Sequence, residues 1–351
     1  MNFALSDEKS ICSSKRHVCE IAHPQKQPIE PRPDSFPREF ITVNKLGAVV
    51  NENAPENISD SNFENTTYNA LKSLTTVLEE RDIKYAVIKS FLPVPKEIGD
   101  IDILVDDLSQ AATILESDGF KRENNDDPYK LKYNKTTSSG RVSIHLHGEI
   151  TWHGQIYINK NDVLQNTVNK EHSHGEVVVP SPNYEALILA AHMLFETGNN
   201  RVIVLDALEY WSWSQNGKID SELMLSIANR HNWGFGLRYY IGAVVAVYEK
   251  IYKENFNKLR NIDIPDVNMT FNPVYDAYVF DILQMSRIRI DRISELYSST
   301  NTINIGEPVG VYLRNILDEL AGRYGITYSK KRFNMMLEQT LGTAQFNESG
   351  Q

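Results

Sequence analysis

The chain has 351 residues, a length that points to about two domains of ~150 residues each, and its hydrophobic fraction of 41% supplies ample core. Its formal net charge of −10 argues against an extended duplex nucleic acid or an anionic membrane as partner through bulk charge, and leaves room only for a local basic pocket that takes a nucleotide. Two cysteines, Cys12 and Cys19, fit neither a zinc spacing nor a disulfide framework; no run approaches the roughly 18 apolar residues of a membrane span, and no apolar leader core opens the chain, so a cytoplasmic protein with free thiols is expected.

In chain order, residues 1–65 read as a largely flexible N-terminal extension, proline-rich through HPQKQPIEPRPDSFP, with 37–50 as a candidate added strand. Over 66–82, Tyr68, Leu71, Leu74 and Leu78 fall on one helical stripe. Residues 83–90 read as a strand, 91–98 as a loop broken by Pro93 and Pro95, and 100–105 as a second strand. An amphipathic helix follows over 108–120 and closes on Gly119, and 131–135 and 141–150 are further strands. That order suggests a small α/β or α+β sheet domain over 66–180. From about 183 the periodicity becomes helical, over 183–198, 201–217, from Asp220, 235–254, and again in FNPVYDAYVFDILQMSRIRIDRISELY and EPVGVYLRNILDELAGRYG. Residues 181–345 are therefore expected to be an all-helical domain.

The chemistry concentrates in GDIDILVDD, residues 99–107. On a strand, residues two apart face the same way, so Asp100 and Asp102 share a face while Ile101 and Ile103 pack on the other. Two carboxylates so placed repel each other unless both are solvated, as on an exposed edge strand, or a divalent cation sits between them. The second case is the protein half of a phosphoryl- or nucleotidyl-transfer site. In RVSIHLHGEI, Val142, Ile144 and Leu146 alternate with Ser143, His145, His147 and Glu149, which face the other way. The Trp211–Trp213 and Tyr239–Tyr240 pairs read as helix packing.

Ile88 and Ser90 close one strand, and nine residues separate Ser90 from Asp100-Ile101-Asp102-Ile103. This resembles the signature of the nucleotidyltransferase superfamily. A subgroup of uncharacterised bacterial and archaeal nucleotidyltransferases is more similar still: Lys-Gly after the first strand, Asp-Ile-Asp-Leu-hydrophobic, a strand reading hydrophobic-Asp-Leu-His-Trp, and then a helical domain. Lys89 matches the lysine of that pattern, where the wider superfamily usually has Gly, and Ser90 takes the place of its glycine. His145 stands at the third aspartate, His147 at the family's histidine, and Gly148 replaces the tryptophan. AAHMLFETGNNRVIVLDALEYW resembles the subgroup's helical part through His192, Arg201 and Leu205-Asp206. The resemblance covers roughly residues 66–215.

The resemblance implies a nucleotidyltransferase-like catalytic domain over 66–180 followed by the helical domain. It further implies metal-dependent transfer of a nucleoside monophosphate from an NTP, ATP included, to an acceptor hydroxyl. Asp100 and Asp102 would hold Mg2+ or Mn2+. Glu149 or His145 would complete the metal shell or take the acceptor's proton. Lys89, Ser90 and Arg201 would hold the phosphates, with Asp206 orienting Arg201. The acceptor stays open among a small molecule such as an aminoglycoside, an RNA end and a protein side chain. The alternative is a catalytically impaired module of the same fold that binds nucleotide or another protein. A rival in a different class takes His145 and His147, with His172, His174 and Glu176, as zinc ligands of an amidohydrolase-type barrel.

Overall fold

The computed structural model describes residues 61–280 except 95–98, 125–128, 139, 153–154, 173–174, 197–200, 203, 253–255, 257–262, 266, 268 and 273–276. The candidate strand at 37–50, the rest of the N-terminal extension and the helices expected beyond 280 lie outside these residues.

Helix α1 (Ser61–Glu80) buries Leu71, Leu74 and Leu78, the stripe its spacing predicts, with Tyr68 partly buried beside them. Strands β1 (Tyr85–Ile88) and β2 (Ile101–Val105) follow. In α2 (Leu108–Ser117), Asp107 caps the start by accepting from the Gln110 N–H at 2.9 Å, and Gly119, left-handed at φ 83°, lies just past the end. Strands β3 (Lys121–Arg122), β4 (Lys130–Thr137) and β5 (Gly140–His147) complete a five-stranded sheet of order β1-β2-β5-β4-β3. Only β2 and β5 run parallel; the other neighbours are antiparallel. This is the small mixed sheet that the element order suggested.

The two faces of the sheet do different things. Ile101, Ile103, Val105, Ile144, Leu146 and Tyr133 pack with α1 and α2 in one apolar cluster. On the opposite face, Ile88 and Leu104 join a second cluster built from the segment after residue 150. Asp102, His145 and His147 lie on that second face, as their register with Ile88 and Leu104 requires.

Two hairpins follow that the sequence reading did not foresee: β6 (Ile150–Trp152) with β7 (Gln155–Ile158), and, after α3 (Lys160–Gln165), β8 (Thr167–His172) with β9 (Gly175–Pro180). Helix α4 (Pro182–Ala191) continues into a π-helical turn at His192–Glu196. Then come β10 (Arg201–Val202), α5 (Val204–Gln215), α6 (Ser221–Arg230), α7 (Gly234–Tyr252), β11 (Met269–Asn272) and β12 (Ala277–Phe280). The helices form where the 3.6-residue period was read, but this part of the chain is not helical throughout. Strands β10, β12 and β11 form an antiparallel sheet, so residues 201–202, 271–272 and 277–280 are not the helix expected there. The strands MTFN and AYVF are four residues each, too short for a long helical window to register. Trp211 stacks on Tyr248 with ring centroids 5.7 Å apart, Trp213 meets Tyr210 edge-on at 5.9 Å, and Tyr240 is fully buried, all consistent with packing. Among the described residues, no helix is long and apolar enough to cross a membrane.

Candidate active site

The parallel pairing of β2 and β5 sets Asp102 opposite His145, and β1 brings Ile88 to the other side of Asp102. Asp100 sits in a bend one residue before β2, and its side chain is about half exposed. Its Oδ2 lies 3.0 Å from His145 Nδ1, which is 3.5 Å from Asp102 Oδ1. One ligand atom from each of Asp100, Asp102 and His145 falls within 4.8 Å of the others. Nδ1 is buried and close to both carboxylates. Two carboxylate oxygens and an imidazole nitrogen so placed are a donor set that fits a divalent cation, once the imidazole is neutral.

Asp102 is 6% exposed and carries the electrostatic centre of the site. His147 Nε2 lies 2.6 Å from its Oδ1, Lys89 Nζ 3.2 Å from its Oδ2, and Lys130 Nζ 4.0 Å from Oδ1. Burial works against its ionisation, but Lys89, His145 and His147 outweigh burial and hold the carboxyl well below the usual range. The hydrogen-bonding contact with His145 draws Asp100 down too, against burial and the charge of Asp102. The histidines divide. Burial opposes protonation of His145, but Asp100 and Asp102 raise it; burial lowers His147, and Asp102 does not make up the difference.

The loop after β1 is held from three directions. Lys89 has a left-handed backbone, φ 60°, and its N–H donates to the buried carboxylate of Glu185 on α4. The Val94 N–H donates to both oxygens of Glu209 on α5 at 3.2 Å, and Lys170 Nζ on β8 donates to the Phe91 and Leu92 carbonyls at 2.9 Å each. Beside this loop a narrow cleft runs between sheet and helix, lined by Lys89 and His147 on one side and Ile188, Ala191 and His192 on the other, with Ile150, Thr151 and Tyr157.

Of the residues singled out from sequence, the structure brings Asp100, Asp102, His145 and Lys89 together. Ser90 is buried next to Lys89, and its hydroxyl donates to the Ile88 carbonyl at 3.2 Å. Glu149 stands apart from the Asp–Asp–His group. Strand β5 stops at His147, Gly148 and Glu149 form a bend, and the Glu149 carboxylate lies 3.8 Å from Lys160 Nζ. Burial raises its pKa, and Lys160 tempers the rise. Arg201 is placed by its backbone alone, paired with Val279, and its side chain lies outside the described residues. Asp206 is buried near Tyr210 and Tyr240. A mixed five-stranded sheet is not the barrel that the amidohydrolase rival needs, and the His172 and His174 side chains lie outside the described residues. Sequence reasoning missed Lys130, Lys170, Glu185 and Glu209. The signal for Glu185 was a lone carboxylate in the largely apolar helix α4, which must find a buried partner; Glu209 shares α5 with Asp206 and stood out less.

Two solved structures resemble parts of the chain. One is a lincosamide antibiotic adenylyltransferase, LnuA, with lincomycin bound: 19% identity, TM-score 0.28, covering 40% of this chain and 92% of that one. The other is an antigenic nucleotidyltransferase-like protein from Paracoccidioides brasiliensis: 14% identity, TM-score 0.30, covering 52% of this chain and 94% of that one. No curated protein matches in sequence. Residues 44–248, more than half of the chain, match the family described as uncharacterised nucleotidyltransferase, and the chain belongs to that family.

Proposed function

We propose that the protein transfers a nucleoside monophosphate from an NTP, ATP among them, to an acceptor hydroxyl, in the cytoplasm and with Mg2+ or Mn2+. The observation that carries this reading is the convergence of Asp100, Asp102 and His145 within 4.8 Å across two parallel strands. These three residues would hold the cation, which when bound offsets phosphate charge and polarises the phosphoryl group. Of the two residues expected to complete the shell, Glu149 and His145, this reading takes His145. His147 orients Asp102 from the cleft side. Lys89, Lys130 and Arg201 supply positive charge for the triphosphate, and Ser90 is the small residue of the turn that receives it. The acceptor oxygen attacks the α-phosphorus, the bond from that phosphorus to the oxygen bridging to the β-phosphorus breaks, and pyrophosphate leaves. Glu149 takes the acceptor's proton: its burial-raised pKa suits that exchange, and its chain neighbours Ile150 and Thr151 line the cleft. In this reading residues 66–180 form the catalytic domain, and the segment 181–345 closes the cleft.

Purified protein screened with labelled NTPs, Mg2+ or Mn2+ and a panel of acceptors is expected to give labelled product. Asp100→Asn combined with Asp102→Asn is expected to abolish it while leaving the fold intact by circular dichroism. Turnover retained in the folded double variant refutes the assignment. A second reading, a module that binds metal and nucleotide without turnover, is favoured by the imidazole that occupies the place of the third carboxylate. Metal-dependent nucleotide binding with no product on any acceptor selects it.

A further inference from the structure

We propose that Glu185 is a positioning residue of the site: through the Lys89 amide it fixes the left-handed backbone that lays the Lys89 ammonium on Asp102. A side chain with a Cβ disfavours φ near 60°, and such a conformation persists where the surroundings over-determine it. Lys89 is held at both ends, by its N–H on the Glu185 carboxylate and by its Nζ 3.2 Å from Asp102. The two acids lie on different elements, α4 and β2, so Lys89 links the helix to the strand that carries the carboxylate pair.

The surroundings argue against simple loop anchoring. Glu185 is 5% exposed and Glu209 is fully buried, and desolvating a carboxylate is costly unless it is well compensated. Both point at backbone N–H groups of one loop, residues 89–94, and Lys170 takes two carbonyls of the same loop. A surface loop would leave these groups to water. Here charged groups set the geometry of a loop whose first residue carries the ammonium nearest to Asp102. That this geometry serves a triphosphate rests on the function proposed above; the coupling of Glu185 to Lys89 does not.

The test uses the full-length chain without nucleotide and reads the rate of reductive methylation of each lysine by peptide mass spectrometry. In the wild type, Lys89 is expected to react slowly compared with the more exposed Lys135. Glu185→Ala, which removes a charge-assisted hydrogen bond, is expected to raise the Lys89 rate about tenfold with Lys135 unchanged. Glu185→Gln keeps an oxygen acceptor and should stay close to wild type. If the alanine variant does not fold, Glu185→Asp withdraws the carboxylate by one methylene and should also expose Lys89. An unchanged Lys89 rate in a folded alanine or aspartate variant overturns the proposal. In a second arm, calorimetry with ATP and Mn2+ should show Glu185→Ala and Lys89→Ala each weakening binding, and the double variant no weaker than Lys89→Ala alone. Fully additive losses overturn the positioning role. A wild type that binds no nucleotide refutes the proposed function instead, and leaves the labelling rates to decide on Glu185.

Discussion

His145 brings a nitrogen into a donor set otherwise made of carboxylate oxygens. Magnesium favours oxygen donors, whereas manganese accepts imidazole more readily. His145→Asp is therefore expected to raise Mg2+-supported nucleotide binding relative to Mn2+-supported binding, measured by calorimetry in the two ions; an unchanged ratio would mean that position 145 does not contact the cation. Away from the site, alongside the still more strongly raised Tyr85, Tyr210 and Tyr240, Tyr133 adds a pH dependence. Burial, then its 2.9 Å hydrogen bond to Glu116 and that residue's charge, push the phenol from 10 up to about 12. A raised folded pKa adds stability that is complete below pH 10 and lost as pH rises towards 12. Urea unfolding between pH 8 and 11 should show that loss, and Tyr133→Phe should lessen it. Asp102 was legible because strand alternation fixes its face; Asp100 sits one residue before β2, and Lys89, on a left-handed backbone just past β1, was read through the family resemblance. The alternation from Ser143 to Glu149 runs in the sequence past Gly148, while the strand itself ends at His147.

At the level of elements, helix ends and one close approach carry the testable detail. Asp220 caps α6 by accepting from the Glu222 and Leu223 N–H groups at 3.0 and 3.1 Å. Asp220→Ala should cost about 1 kcal/mol in chemical denaturation. On α7, a methyl group added at Gly242 would come within 2.7 Å of Val267 Cγ2 and 2.9 Å of Ile264 Cγ2. Gly242→Ala should destabilise by about 1–3 kcal/mol, as overpacking does. Long periodic runs such as α1, α2 and α7 could be read from the sequence because an apolar stripe has a physical period. The hairpins β6–β7 and β8–β9 could not, since each strand has three to six residues and part of its partner face is supplied by distant segments. Nor does local sequence tell a two-residue strand at 201–202, paired with residues near 278, from the first turn of a helix.

Across the molecule, strand β2 has no side turned to water: all five of its residues are buried, with Ile101, Ile103 and Val105 in one apolar cluster and Leu104 in the other. Such a strand has no cheap local opening. Its backbone amides should exchange with deuterium only through global unfolding, with the urea dependence of the whole chain, whereas the ends of α1 should open independently. Exchange from β2 through a partial opening with a shallower urea slope would contradict this. The consequence reaches the chemistry. A packing defect in either cluster should lower the fraction of competent molecules at equilibrium, and ligand then has to draw the rest back, so damage far from the carboxylates should appear in a titration as a weaker apparent affinity with the stoichiometry at saturation unchanged.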